Sequence, residues 1–148
     1  MNIVNLEENH VKGISIRTTN ANEMNPETAK IGKLHQSFDK NVTVDYKNGA
    51  RVYGVYYDYE SDANGRFSVL AGADKIETSN VKLEEITLPS GKYMVFNGKG
   101  EMPQAVIDAW GEIWTYFSNE ESAEKRAYTT DFEHYISESE VNIYIAIL

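Results

Sequence analysis

The sequence predicts an α+β fold of two modules, each with one helix packed on one face of an antiparallel sheet. Two apolar helical stripes, each following a proline, predict the helices. Alternating segments joined by short turns predict the strands around them. Pro26 and Pro103 lie about half the chain apart, so we expect module 1 over about 1–78 and module 2 over about 79–148 of a single domain, 1–148.

Module 1 begins with strand-like residues and continues into a helix and a hairpin. Residues 3–19 alternate loosely and break near 8–10, which predicts one or two strands. Asn25 followed by Pro26 predicts a helix start, because these residues suit the N-cap and the first helical position. The apolar residues of this helix are spaced three and four apart: Ile31, Leu34 and Phe38. A hairpin is predicted from strands over 50–59 and 67–71 that flank the turn at 62–65.

Module 2 repeats this order of elements. Strands are predicted over 81–88, 92–98, 127–136 and 141–148. Its helix should begin at 102–104 and end near 118–120, with Trp110 and Trp114 on its apolar side. If the modules pair, their sheets can leave a groove at the joint, where small-molecule pockets are favoured.

Composition excludes several classes of function. The 148 residues contain no cysteine, which rules out disulfides, thiolate catalysis and cysteine-bound zinc. The net charge of −9 argues against a nucleic-acid-binding surface. No apolar run approaches the roughly 18 residues of a membrane span, so we expect a cytoplasmic bacterial domain without membrane contact. Excess acid together with 11% aromatic residues is compatible with a pocket that attracts cations.

One segment of module 2, DFEHY at 131–135, places an acid among aromatic residues. Strand side chains alternate between faces, so Glu133 and Tyr135 should share one face while Phe132 lies on the other. On the next strand we expect the apolar ladder that includes Ile143 to pack against the helix, with Tyr144 on the opposite face. Glu133 and Tyr144 should then point away from that core, toward solvent or toward the groove between the modules.

Glu133 has two interpretations at this point. A glutamate on a strand usually faces solvent, because carboxylates are seldom fully buried. If the other module covers it, Glu133 instead becomes a desolvated carboxylate among aromatic rings, and a cationic ligand would gain Coulomb attraction and cation–π contacts together.

Other aromatic residues are also open to two interpretations. Trp110 and Trp114 form either a core pair or one wall of a pocket. Alternation sends Tyr56 to one face of its strand and a second group to the other: Tyr53, Tyr57 and Tyr59. The sequence does not say which face lines a pocket.

Motifs for metal, phosphate or nucleophilic chemistry are missing from the sequence. The three histidines lack metal-ligand spacing, and there is no Gly-rich phosphate loop and no G-x-S-x-G elbow. We therefore predict no metal, no cofactor and no catalytic residue.

Five segments carry a resemblance to a known family: YGVYYD (53–58), GKYMVF (91–96), the helical segment 109–114, DFEHY (131–135) and NIYIAI (142–147). In this order and spacing they resemble the GyrI-like effector-binding domain superfamily, over nearly the whole chain. Its members include the ligand domains of AraC-type and MerR-type multidrug regulators and the gyrase inhibitory protein. The resemblance implies two strand–helix–strand–strand modules related by a pseudo-twofold axis.

The resemblance also implies that the protein binds an amphipathic, cationic small molecule. We expect it not to be an enzyme, because the sequence shows no second catalytic group beside Glu133. The glutamate of the family's F-E-x-Y motif, its central acid, corresponds to Glu133. The implied binding residues form one set: Glu133, Tyr144, Trp110, Tyr56, Trp114 and Asn142. No helix-turn-helix precedes the domain here, so we expect a stand-alone module, a monomer or weak homodimer, similar to solitary domains on integron cassettes.

Two alternative functions stay open. The first is a protein resembling the gyrase inhibitory protein, which acts by contact with a protein partner such as a regulator or a gyrase-like target. The second is a small-molecule hydrolase that uses Glu133 as a base, with Tyr135 or Tyr144 nearby.

Overall fold

The computed structural model describes residues 2–148, and Met1 lies outside the described residues. The strands are β1 (Asn2–Leu6), β2 (Asn9–Thr19), β3 (Val42–Val44), β4 (Val52–Tyr57), β5 (Arg66–Ala73), β6 (Ile76–Ser79), β7 (Glu84–Leu88), β8 (Gly91–Lys99), β9 (Thr130–Ser137) and β10 (Glu140–Ala146). The helices are α1 (Asn20–Glu23), α2 (Ile31–Asn41) and α3 (Gln104–Ser118), with one 3-10 turn at Tyr46–Asn48.

Eight strands form one antiparallel sheet in the order β1-β8-β10-β9-β4-β5-β2-β7, and β3 pairs with β6 beside it. Helices α2 and α3 pack on the same face of the sheet, α2 over β2 and β5 and α3 over β8 and β10. The other face buries its own cluster, which includes Tyr53, Leu70 and Phe132. That cluster contains only strand and loop residues, and the sheet curls around it.

The strand order shows the pseudo-twofold relation between the modules. From the centre outward, β4-β5-β2 in one half matches β9-β10-β8 in the other. The outer strands are exchanged, because β1 pairs with β8 while β7 pairs with β2. The predicted α+β fold is confirmed, and the pairing of β4 with β9 joins the two halves into one continuous sheet.

Most predicted elements form, but the first helix begins later than predicted. Pro26 lies in a turn, where the Asn25 side chain accepts a hydrogen bond from the Glu27 amide at 3.0 Å. Helix α2 begins at Ile31, and the Glu23 carboxylate accepts hydrogen bonds from the amides of Lys30 and Ile31. These amides have no partner within the helix, so an acceptor that precedes the helix in the chain sets where it begins.

Helix α3 is confirmed, since it starts immediately after Pro103 and ends at Ser118. The two predicted hairpins are confirmed as β4–β5 and β9–β10. The small β3–β6 pair and helix α1 were not predicted.

Candidate functional site

Glu133 is a buried carboxylate at the centre of the sheet, with only 3% of its surface exposed. Its Oε2 accepts a hydrogen bond from the Tyr56 hydroxyl at 3.0 Å and from Trp110 Nε1 at 2.8 Å. Its Oε1 accepts one from the Tyr135 hydroxyl at 2.8 Å. The solvent-facing interpretation of Glu133 is therefore wrong, and the carboxylate lies among aromatic side chains.

The register of the central strands directs Glu133 to the helix side. It lies directly opposite Ile143 on β10 and Gly54 on β4. Residues that face each other on neighbouring strands project from the same face, so Glu133 shares its face with Ile143, which is fully buried under α3. Gly54 contributes no side chain, which leaves room for the carboxylate.

The negative charge of Glu133 has no cationic partner among residues 2–148, because no lysine, arginine or histidine there forms an ion pair with it. Only neutral donors stabilise it. Burial raises the pKa of Tyr56 well above its ordinary value, and the adjacent Glu133 charge raises it further. The pKa of Tyr135 is raised by the same two causes, so both hydroxyls stay protonated donors at neutral pH.

A cavity of about 140 Å³ lies next to this cluster, between α2 and α3. Its wall consists of Asn20, Glu23, Ile31, Tyr56, Tyr59, Ala63, Phe67, Trp110, Trp114 and Arg126. Tyr56 and Trp110 belong to the wall and also donate to Glu133, so they stand between the cavity and the carboxylate. Trp114 is 42% exposed, which places this side of the cavity at the protein surface.

Tyr59 also lines the cavity, which corrects its predicted position. Alternation put it on the face of Tyr53 and Tyr57, away from Tyr56. Strand β4 ends at Tyr57, however, and Asp58 adopts a left-handed conformation with φ 51°. The alternation therefore stops before Tyr59, whose ring packs 5.8 Å from that of Phe67.

Tyr144 and Asn142 lie on the opposite face of the sheet from Glu133. Tyr144 is paired with Phe132 in the register, and their rings stack with centroids 4.7 Å apart. Asn142 accepts a hydrogen bond from the Asn97 side chain at 2.8 Å. The expectation that Glu133 and Tyr144 share a face is wrong, because alternation within each strand does not determine how two strands are aligned.

A second buried acid was missed by the sequence analysis. Asp131 is fully buried and accepts hydrogen bonds from Tyr59, from Arg126 at 2.8 Å and from the amide of Ala146 at 2.8 Å. The Arg126 guanidinium also lies 4.5 Å from the Tyr128 ring centroid. Strand alternation puts Asp131 on the same face as Glu133, and this was the only sequence pattern that could have indicated its burial. Its partner Arg126 precedes the strand, where no periodic pattern applies.

Two further properties of the described chain bear on the type of site. In residues 2–148, no cluster of three or more histidine or acidic side chains is arranged to hold a metal ion. The helices of this part of the chain are too short or too polar to span a bilayer.

Comparison with known proteins identifies the family. Residues 2–147 match the family described as integron-associated effector binding protein, Cass2. An integron cassette protein from the mobile metagenome of Vibrio cholerae is 45% identical, with a TM-score of 0.88, covering 99% of this chain and 95% of that one.

Two more distant structures share the fold. SAV2435 bound to tetraphenylphosphonium is 22% identical with a TM-score of 0.66, covering 99% of this chain and 93% of that one. The EcmrR C-terminal domain is 14% identical with a TM-score of 0.54, covering 99% of this chain and 96% of that one. No curated protein sequence matches the chain. The match over residues 2–147 and the 45% identical cassette protein confirm the effector-binding resemblance, and this chain belongs to the Cass2 family of integron-associated effector binding proteins.

Proposed function

We propose that this protein reversibly binds amphipathic, cationic small molecules in the cavity between α2 and α3. The observation that carries the proposal is the Glu133 carboxylate, which is buried without a cationic partner and held by two side chains of the cavity wall, Tyr56 and Trp110. A ligand cation would supply the missing positive charge.

The electrostatics of the site favour a cation. Neutral hydrogen-bond donors stabilise a carboxylate but leave its net charge in place. Two unit charges about 8 Å apart still attract by roughly 2 kcal/mol at an effective dielectric constant of about 20. Trp110 and Trp114 line the cavity, and a cation placed over an indole face would gain about 0.5–2 kcal/mol, although the Arg126 guanidinium already lies 5.9 Å from the Trp114 ring centroid.

The size of the cavity limits what enters it. A protein cavity of about 150 Å³ is known to hold benzene, so the volume of about 140 Å³ here takes one aromatic ring. A larger cation would place one ring in the cavity and its remaining groups at the surface beside Trp114. The neighbour SAV2435 has been solved with tetraphenylphosphonium, a cation built of such rings, which supports this ligand class for the present chain.

The proposal is for binding without chemical conversion. A general base must reach the proton that it removes. Glu133 lies behind Tyr56 and Trp110, and both of its oxygens already accept hydrogen bonds. A molecule in the cavity would contact those aromatic side chains and not the carboxylate, which favours binding over hydrolysis.

Titration with tetraphenylphosphonium, monitored by tryptophan fluorescence, tests this proposal. Both tryptophans of the chain line the cavity, so the signal reports on this site directly. We expect Glu133→Gln to weaken binding about tenfold or more, because it removes the charge and keeps the shape. Glu112→Gln makes the same change on the exposed side of α3 and should alter affinity by less than about twofold. Equal affinities of the two variants, or no binding by the unmodified protein, would overturn the proposal.

A further inference from the structure

Arg126 belongs to a cavity wall whose other members are five aromatic side chains, two aliphatic side chains and the polar side chains of Asn20 and Glu23. Its side chain is 5% exposed, and its hydrogen bonds to the described residues all leave from Nη2, toward Asp131 and Tyr59. Its Nε is buried and has no hydrogen-bond partner among residues 2–148. Buried donors are normally paired, and Nη1 also donates to none of these residues while keeping some accessible surface, so the guanidinium retains hydrogen-bonding capacity that the protein does not satisfy.

The guanidinium is held firmly in position. Asp131 lies 2.8 Å from Nη2, and the backbone amide of Ala146 fixes the other oxygen of that carboxylate. Tyr128 packs against the guanidinium at 4.5 Å, and the ring centroid of Trp114 lies 5.9 Å away. A donor that is already ordered loses little entropy when a ligand binds, so its hydrogen bond contributes to affinity with a small ordering cost.

The charge around Arg126 selects a neutral acceptor over an anion. Asp131 already neutralises the arginine, and the nearby Glu23 carboxylate also lines the cavity. The whole chain carries a net charge of −9. An anionic group that enters the cavity would be repelled by these negative charges. A neutral carbonyl, ester or ether oxygen would suffer little such repulsion.

We propose that Arg126 is a second ligand-contacting residue, which donates a hydrogen bond to a neutral oxygen on the ring that enters the cavity. This inference rests on the proposed function. It narrows the ligand class to aromatic cations that carry a carbonyl, ester or ether group at a distance from their charge. Such molecules should bind more tightly than purely hydrocarbon cations of the same size.

A matched pair of probes tests the inference in the unmodified protein. (4-Acetylphenyl)triphenylphosphonium and (4-isopropenylphenyl)triphenylphosphonium have the same charge and nearly the same shape, but only the first carries a carbonyl oxygen. By calorimetry we expect the acetyl probe to bind about tenfold more tightly, as one hydrogen bond from a charged donor allows. Equal affinities would overturn the role of Arg126 and leave the proposed function standing. Failure of both probes to bind would overturn the proposed function and this inference with it.

Two variants test whether the preference for the acetyl probe comes from Arg126. Arg126→Lys keeps a positive charge beside Asp131 but removes the planar guanidinium, so the affinity ratio of the probes should fall toward one. Arg66→Lys changes an exposed arginine that pairs with Glu60, and it should keep the full ratio. An unchanged ratio in Arg126→Lys would contradict the assignment. If Arg126→Lys fails to fold, a structure of the unmodified protein with the acetyl probe tests the assignment instead. The carbonyl oxygen of the probe should lie about 3 Å from the Arg126 guanidinium. Any other position of that oxygen would refute the assignment.

Discussion

Gly54 and Glu133 face each other on the two central strands, and a Cβ at Gly54 would lie 2.5 Å from Oε1 of Glu133. The same Cβ would lie 3.4 Å from His35 on α2. The glycine on one half of the sheet thus provides the space that the buried acid on the other half occupies. The carboxylate cannot simply move aside, because three donors hold it.

Substitution Gly54→Ala should therefore destabilise the protein and weaken ligand binding. We expect a loss of about 1–3 kcal/mol in the free energy of unfolding, measured by urea denaturation, because the new methyl group overpacks the site. Gly111→Ala is the control: a Cβ there meets nothing within 4 Å, and replacing a glycine inside a helix should stabilise by up to about 1 kcal/mol. A Gly54→Ala variant as stable as the parent would contradict this packing, because it would show that the Glu133 side chain can adopt another conformation without cost.

Two substitutions of Glu133 should separate its charge from its hydrogen bonds. In Glu133→Gln, the amide oxygen can accept from Tyr56 and Trp110 while the amide nitrogen donates to the Tyr135 hydroxyl, so we expect a small change in stability. In Glu133→Ala, these donors lose their acceptor, and each buried unpaired donor costs about 1–3 kcal/mol. Thermal or urea unfolding measures the difference. Equal stabilities of the two variants would contradict the hydrogen-bonded arrangement.

The buried pair of Asp131 and Arg126 should behave as a coupled unit. Asp131→Ala leaves an unpaired buried guanidinium, and we expect it to cost about 3–5 kcal/mol of stability. The double variant Asp131→Ala with Arg126→Met should lose much less than the sum of the single losses, because it buries no unpaired charge. Additive losses in this double-mutant cycle would mean that the two side chains do not interact in solution.

Stability should fall steeply at alkaline pH. Burial and the neighbouring acids raise the pKa of Tyr56 and Tyr59 well above 10, and burial raises that of Tyr53 to about 12. Above about pH 10 the unfolded chain loses phenolic protons that the folded protein keeps, so each such tyrosine lowers stability by about 1.4 kcal/mol per pH unit. Below that pH the effect is absent.

Urea midpoints measured between about pH 9 and pH 11 check this expectation, together with tyrosinate absorbance. Buried tyrosines should ionise only as the protein unfolds, in one cooperative step. Tyr56→Phe removes one of them and should make the decline shallower. Ionisation of all tyrosines near their ordinary pKa, in a protein that stays folded, would contradict the buried environment.

The sequence predicted most elements of this fold because their signals are local. The stripe of Ile31, Leu34 and Phe38 and the turns between strands depend on neighbouring residues only. The start of α2 could not be predicted in this way, because Glu23 caps it through hydrogen bonds across several residues. The short β3–β6 pair likewise depends on contacts between distant parts of the chain.

The candidate site was predicted less completely, for a related reason. Alternation separated Glu133 from Phe132 and Tyr56 from Tyr53, as the structure shows. It could not decide the alignment of β9 with β10, which puts Tyr144 on the far face. The partnership of Asp131 with Arg126 involves a residue outside any strand, and alternation does not extend to such residues.

The charge of Glu133, which no cation of the described residues pairs, should select cationic ligands over anionic ones, and a pair of isosteric ions tests this selectivity most directly. Tetraphenylphosphonium and tetraphenylborate have nearly the same size and shape but opposite charge. In parallel tryptophan-fluorescence titrations at physiological ionic strength, we expect the phosphonium to bind more than about tenfold more tightly than the borate. This preference should shrink in Glu133→Gln. Equal binding of the two ions, or tighter binding of the borate, would contradict the account.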